Sequence, residues 1–172
     1  MKYIITVATP LEISANYRNL HQIIYTGIGT MNSLLSLVDY KKVKAIYNIG
    51  SCVSKEQFDI GKTIQFNTFL SSCKSFPHKK ISNKNVTDIV EIETHSEFVT
   101  NINDMQSTYA DMESYAQALF AEKYEIPFVC IKYVSDWAGS TSITYWEDQL
   151  PIVQKALDSV IHDIITNKIL TG

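Results

Sequence analysis

Three short runs of almost wholly apolar, β-branched residues set the limits on what this chain can fold into. Tyr3 to Ala8, Ala45 to Ile49 and Phe128 to Val134 show little inside–outside alternation, the pattern of strands covered on both faces. Segments with helical spacing lie between and after them. Ile13, Tyr17 and Leu20 recur at that spacing behind Thr9-Pro10, where threonine can cap and proline fits a first helical turn. Gln22 to Thr26 reads as a short strand running into Gly27-Ile28-Gly29, and Met31, Leu34, Leu35 and Val38 then mark one helix face. From Ala110, the residues Met112, Tyr115, Ala116, Leu119 and Phe120 mark another. A last helix, from about Glu147 to Lys168, is expected to turn Leu150, Val153, Leu157, Val160, Ile161 and Ile164 inward. Only the middle differs: Thr63 to Phe69 and Asp88 to Glu93 read as strands around a polar loop from about Ser71 to Val86. Strands alternating with helices predict an α/β fold with a mostly parallel sheet covered by helices.

Composition narrows the function classes. With 172 residues, 45% of them hydrophobic and 19% charged, the chain suits one globular domain spanning 1–172. A net charge of −3 offers no general attraction to nucleic acid, and Lys74, Lys79, Lys80 and Lys84 read as a solvated loop. No apolar stretch approaches the roughly 18 residues of a membrane span. The N-terminal run lacks a cleavage site and reads as a first strand rather than a signal peptide. Cys52, Cys73 and Cys130 form no CxxC and are expected to be reduced thiols, which fits a cytoplasmic location. His21, His78, His95 and His162 show no ligand spacing, so no metal is expected. Asn32 stands where a third glycine would complete GxGxxG, so no dinucleotide cofactor is expected. Gly50-Ser51 lacks the GxSxG of a serine hydrolase.

Sites in parallel sheets gather at the C-terminal ends of the strands. Glu12 lies just beyond the first strand, Asp136 just beyond Phe128 to Val134, and Glu113 opens the helix before it. Each has a plain structural explanation, because carboxylates in a first turn complement the helix dipole and aspartate caps turns. Taken together they make chemical sense at a glycosidic bond. One carboxyl must be protonated to serve the leaving group, and another ionised to orient and deprotonate water. Burial and mutual repulsion separate such groups into opposite protonation states.

Four blocks in order, TGIGTMNSLLSL, VKAIYNIGSCVS, FDIGKTIQF and YADMESYAQALFAEKYEIPFVCIKYVSDWAG, resemble the purine nucleoside phosphorylase and uridine phosphorylase superfamily. The last block is similar to its 5'-methylthioadenosine/S-adenosylhomocysteine nucleosidase branch. The resemblance implies a single-domain, three-layer α/β/α fold with a mixed, mostly parallel central sheet, shortened between the first helix and GIG and in the middle loop. It implies an N-glycosidase that takes a small-molecule nucleoside without a cofactor and works as a homodimer. By the same resemblance Glu12 positions water and Asp136 is the acid at purine N7, supported by Ser135. Glu113 holds the ribose hydroxyls, Met112 packs on the sugar, Ser51 sits beside ribose and water, and Phe98-Val99 hold the base. Lys132 stands where many relatives carry arginine, Cys52 where alanine is usual, and Trp137 where a smaller residue is common. Phosphorylases of the superfamily clamp phosphate with several arginines, and this chain has only Arg18, which favours hydrolysis. A different nucleoside, futalosine-type or deoxyribosyl, a phosphorylase activity and a non-catalytic binding relative stay open at this stage. Met31, Leu34 and Leu35 suit either a core or a dimer face, and Phe76-Pro77 could reach a partner's site.

Overall fold

The computed structural model describes residues 2–72, 80–82, 88–138 and 143–168. Its described residues form nine strands and three α-helices: β1 Ile4–Val7, β2 Ile23–Tyr25, α1 Thr30–Ser36, β3 Ile46–Ser54, β4 Thr63–Phe66, β5 Thr68–Ser71, β6 Ile81–Ser82, β7 Glu91–Thr94, β8 Tyr109–Asp111, α2 Ser114–Lys123, β9 Phe128–Trp137 and α3 Ile143–Ile165. All nine strands join one sheet, and β3 is its hub. Parallel β1 lies on one side of β3 and carries β2; parallel β9 lies on the other and carries antiparallel β4. Past Cys52, β3 also meets antiparallel β8, which leads through β7 and β5 to β6. Five of the eight described pairings are parallel, so the sheet is mixed and mostly parallel, as the alternating elements predict.

The apolar runs of β1, β3 and β9 feed two cores at once, because successive side chains leave a strand on opposite faces. Ile4, Ile46, Phe128, Cys130 and Val134 meet Leu37 and the α2 residues Tyr115, Ala118 and Phe120. Ile5, Tyr47, Ile49, Val129, Ile131 and Tyr133 meet the α3 stripe Val153, Leu157, Val160, Ile161 and Ile164. Each such side chain stabilises the fold by about 1.5–3 kcal/mol on full burial. The result is the expected three-layer α/β/α arrangement.

Several local expectations change. Ile13, Tyr17 and Leu20 are not helical. Thr9 accepts from Leu11 N over a 3-10 turn at Pro10–Glu12, and a succession of i to i−3 turns follows. The three side chains still reach the α3 core, and Ser14 N is held by Asp158 Oδ1 at 3.1 Å, so long-range contacts set this segment. In the seven-residue α1 the fully buried residue is Ser33, and of the expected apolar face only Leu34 packs on the core; Met31 and Leu35 are 65% and 59% exposed, and Val38 lies beyond the helix and is exposed. Asn67 divides the run Thr63 to Phe69, since the Asn67 and Thr68 amides both bond Val90 O and turn the chain from β9 to β7. β7 starts at Glu91, Leu150 is only partly buried, and β9 continues to Trp137. Cys73, Lys74, Phe76, Pro77, His78, Lys79 and Lys84 lie outside the described residues, while Lys80 forms a surface ion pair with Glu91 at 2.9 Å. No helix among the described residues is long and apolar enough to cross a membrane.

Candidate active site

β1 stops level with Ile49 while β3 and β9 run on together to Ser54 and Trp137, and the turn after β1 and the last residues of β3 and β9 line one site. Beyond β1, the turn at Pro10–Glu12 directs Glu12 inward, where it is 3% exposed. Its Oε1 accepts from both Ser51 N and Ser51 Oγ, each at 2.8 Å, which ties it to β3. Its Oε2 is buried and has no hydrogen-bond partner among the described residues, an arrangement that calls for a water or a ligand atom.

On β9 the register against β3 slips. Cys52 lies opposite Val134, but Val53 lies opposite Asp136, leaving Ser135 as the extra residue of a bulge. Bulges re-aim side chains and gather beside active sites. Here Ser135 Oγ donates to Asp136 Oδ1 at 2.5 Å. Burial pushes the Asp136 carboxyl above the usual aspartate range, against the opposing Ser135 hydrogen bond, so protonation becomes easier.

Glu113 stands at the N-cap position of α2 rather than within its first turn, and its side chain makes no cap hydrogen bond. It reaches instead to Gly29 N at 2.9 Å, so capping does not explain it. Burial, followed by the nearby charges of Asp111 and Glu12, outweighs the opposing Lys132 and Gly29 N–H and holds its pKa at about 7.

These groups face one cavity. Its lining contains all eight residues that the sequence singles out: Glu12, Ser51, Phe98, Val99, Met112, Glu113, Ser135 and Asp136. Phe98 is 43% exposed. No family model matches the sequence, and neither does any curated protein.

Solved structures do match. The 5'-methylthioadenosine/S-adenosylhomocysteine nucleosidase of Streptococcus pneumoniae, solved with a transition-state inhibitor, is 17% identical with a TM-score of 0.76, covering 93% of this chain and 96% of that one. The S-adenosylhomocysteine nucleosidase of Streptococcus pyogenes is 17% identical with a TM-score of 0.79, covering 99% and 98%. A futalosine hydrolase mutant of Helicobacter pylori is 14% identical with a TM-score of 0.74, covering 95% and 100%. The chain has the nucleosidase fold.

Three more residues shape this nucleosidase-fold site: sequence reasoning names Lys132 only as a replacement for arginine, and does not single out Asp111 or Trp146. Lys132 and Asp111 form an ion pair of 2.9 Å, with side chains only 2% and 1% exposed. Burial alone would lower the Lys132 pKa, but Asp111 first, and Glu113 and Glu12 after it, outweigh burial and keep the ammonium charged. Asp111 also accepts from Thr94 Oγ1 at 2.7 Å and Ser114 Oγ at 2.8 Å. A lysine inside the apolar run of β9 signals a buried counter-ion, although sequence spacing does not say which carboxylate supplies it. Gly50 leaves room for this assembly: a Cβ there would lie 3.3 Å from both Glu12 Oε1 and Lys132 Nζ. The third residue is Trp146, which lines the cavity and donates from Nε1 to Ser51 Oγ at 2.9 Å.

Among the described residues the cavity lining holds five carboxylates (Glu12, Glu97, Asp111, Glu113 and Asp136) and no lysine, arginine or histidine. Arg18 lies outside it and donates to Ile13 O. The described residues contain no group of three or more His, Cys, Asp or Glu side chains arranged to hold a metal ion.

Proposed function

We propose that the protein hydrolyses the N-glycosidic bond of a purine nucleoside of the methylthioadenosine or adenosylhomocysteine type. One observation carries the reading: a carboxyl that burial makes easier to protonate, Asp136, shares a cavity with Glu12, whose one bare oxygen is buried. Asp136 gives its proton to purine N7 as the bond from the sugar carbon to N9 breaks and its electron pair moves onto the base. Glu12 orients a water at Oε2 and takes one of its protons as the new carbon–oxygen bond forms. Glu113 accepts from the ribose hydroxyls, and Met112 packs on the sugar. Ser51 fixes Glu12 and Ser135 supports Asp136. The Phe98 ring and the Val99 backbone hold the base. The transition state carries positive charge on the sugar, which an anionic cavity stabilises more than it stabilises a neutral substrate.

The absence of any cation from the described lining favours water over phosphate as nucleophile, because phosphate sites rely on arginine, lysine or backbone N–H groups. The likeness to a futalosine hydrolase supports a second substrate class at the same site. The reaction is assigned to a reducing compartment such as the cytoplasm, in keeping with the free, buried Cys52 and Cys130. A second copy of the chain is the proposed partner. Ile28 lines the cavity and is exposed, as are Leu11, Met31, Leu35 and Val38, and apolar surface marks an association site where it is contiguous.

The test is release of free base from methylthioadenosine, adenosylhomocysteine and futalosine without phosphate. Wild type is expected to release base, with Asp136→Asn and Glu12→Gln each slower by about 10²–10⁴-fold. A phosphate requirement would overturn hydrolysis, and undiminished rates in both variants would overturn the residue roles.

A further inference from the structure

Trp146, near the start of α3, has none of the roles assigned above. Its side chain is buried in the cavity wall, and its ring meets Phe98 edge-on with centroids 6.5 Å apart. A buried indole needs an acceptor for its N–H, and the one it finds is Ser51 Oγ at 2.9 Å. An indole only donates, and a serine hydroxyl has a single proton to give. The direction of the chain is therefore fixed. Trp146 donates to Ser51, and the Ser51 proton goes to Glu12 Oε1 at 2.8 Å. With Ser51 N donating to the same oxygen, Oε1 receives two hydrogen bonds, while the buried Oε2 receives none.

We infer that Trp146 is a positioning residue for the general base. By occupying a lone pair of Ser51 it aims the hydroxyl at Oε1, so that Oε2 alone is left to receive the proton of the attacking water. Without the indole N–H the Ser51 hydroxyl can rotate toward other acceptors, and the two Glu12 oxygens cease to be distinct. The catalytic half of this role rests on the proposed nucleosidase activity; the hydrogen-bond chain itself does not.

The test combines kinetics with NMR on the full chain. Trp146→Phe keeps an aromatic ring and removes the N–H. It is expected to lower kcat for base release about three- to tenfold, the range of one neutral hydrogen bond, with KM moving less. In a Ser51→Ala background the same substitution should cost nothing further, because both changes break one chain. An equal loss in both backgrounds, or a change confined to KM, would overturn the role. The chain has two tryptophans, and Trp137 Nε1 donates elsewhere, to Lys55 O. In ¹⁵N-labelled protein, Ser51→Ala should shift the Trp146 indole signal and speed its hydrogen exchange while leaving that of Trp137 in place. A Trp146 signal indifferent to Ser51→Ala would refute the hydrogen-bond chain. Wild type that releases no base defeats the nucleosidase reading and with it the catalytic half, and the NMR comparison still decides the chain.

Discussion

Glu113→Gln should make the protein more stable as the pH rises, even though it removes a residue assigned to the substrate. Glu113 is 6% exposed and holds its proton to about pH 7 against a reference value of 4.5, because burial first, and Asp111 and Glu12 after it, disfavour its charge. A raised folded-state pKa means that the folded state binds the proton more tightly than the unfolded state. That advantage is complete below the unfolded value near 4.5 and is lost as the pH climbs through 7. The rise of 2.5 units, from 4.5 to about 7, corresponds to about 3 kcal/mol at 1.36 kcal/mol per unit, with the attraction to Lys132 already included. Glutamine fills the same space and can accept from Gly29 N through its own oxygen, so the variant escapes this loss. Wild type and variant should therefore be about equally stable near pH 4.5, and the variant should gain up to about 3 kcal/mol above pH 7. In a chain of this size that is about 6–12 °C in Tm. Asp136, raised in the same direction, is present in both proteins and largely cancels in the difference. Urea unfolding at half-unit steps from pH 4.5 to 8.5 measures it. A difference that stays constant across the window, or that favours wild type as the pH rises, would refute the reasoning.

Three further substitutions probe the rest of the site and its surroundings. Lys132→Met leaves Asp111 buried without its ammonium and should destabilise by about 3–5 kcal/mol; adding Asp111→Asn should recover much of that loss in urea unfolding. Gly50→Ala sets a methyl 3.3 Å from Glu12 Oε1 and Lys132 Nζ, and should cost about 1–3 kcal/mol together with a fall in kcat, read by calorimetry and base release. Met31→Asp changes an exposed side chain, so monomer stability should move by no more than about 0.5 kcal/mol, while light scattering should show loss of the proposed dimer.

The sequence was most legible where one segment contains the whole signal. β1 and the first halves of β3 and β9 are mostly apolar, and the α3 stripe from Val153 to Ile164 repeats over three turns, so each announces itself. The eight cavity residues follow from strand ends and motif resemblance. What stayed hidden depends on contacts between distant segments. Ile13, Tyr17 and Leu20 have helical spacing, but the turn carrying them is held by Asp158, 144 residues away. Met31, Leu34 and Leu35 have the period of a helix face, yet two turns of helix cannot say which side meets the core. The pairing of Lys132 with Asp111 depends on how β8 and β9 flank the end of β3, and the Trp146–Ser51 bond spans 95 positions. The Ser135 bulge is a slip of one residue that local propensity does not encode.

The charge balance of the cavity ties these features to one kind of chemistry. Five carboxylates line it, and the nearest buried ammonium, Lys132, is already committed to Asp111. Burial of carboxyl groups close together favours the protonated form. Burial raises the pKa of both Glu113 and Asp136. Glu12 differs in geometry, because Ser51 supplies two donors to a single oxygen. The proposed reaction uses that difference, with Asp136 as proton source and Glu12 as proton acceptor, the two requirements for cleaving a glycosidic bond with water. The same balance disfavours phosphate as the nucleophile and favours the positive charge that would develop on the sugar as the base departs. A neutral nucleoside gains more from this cavity at its transition state than on binding, and differential stabilisation of that kind is what catalysis requires.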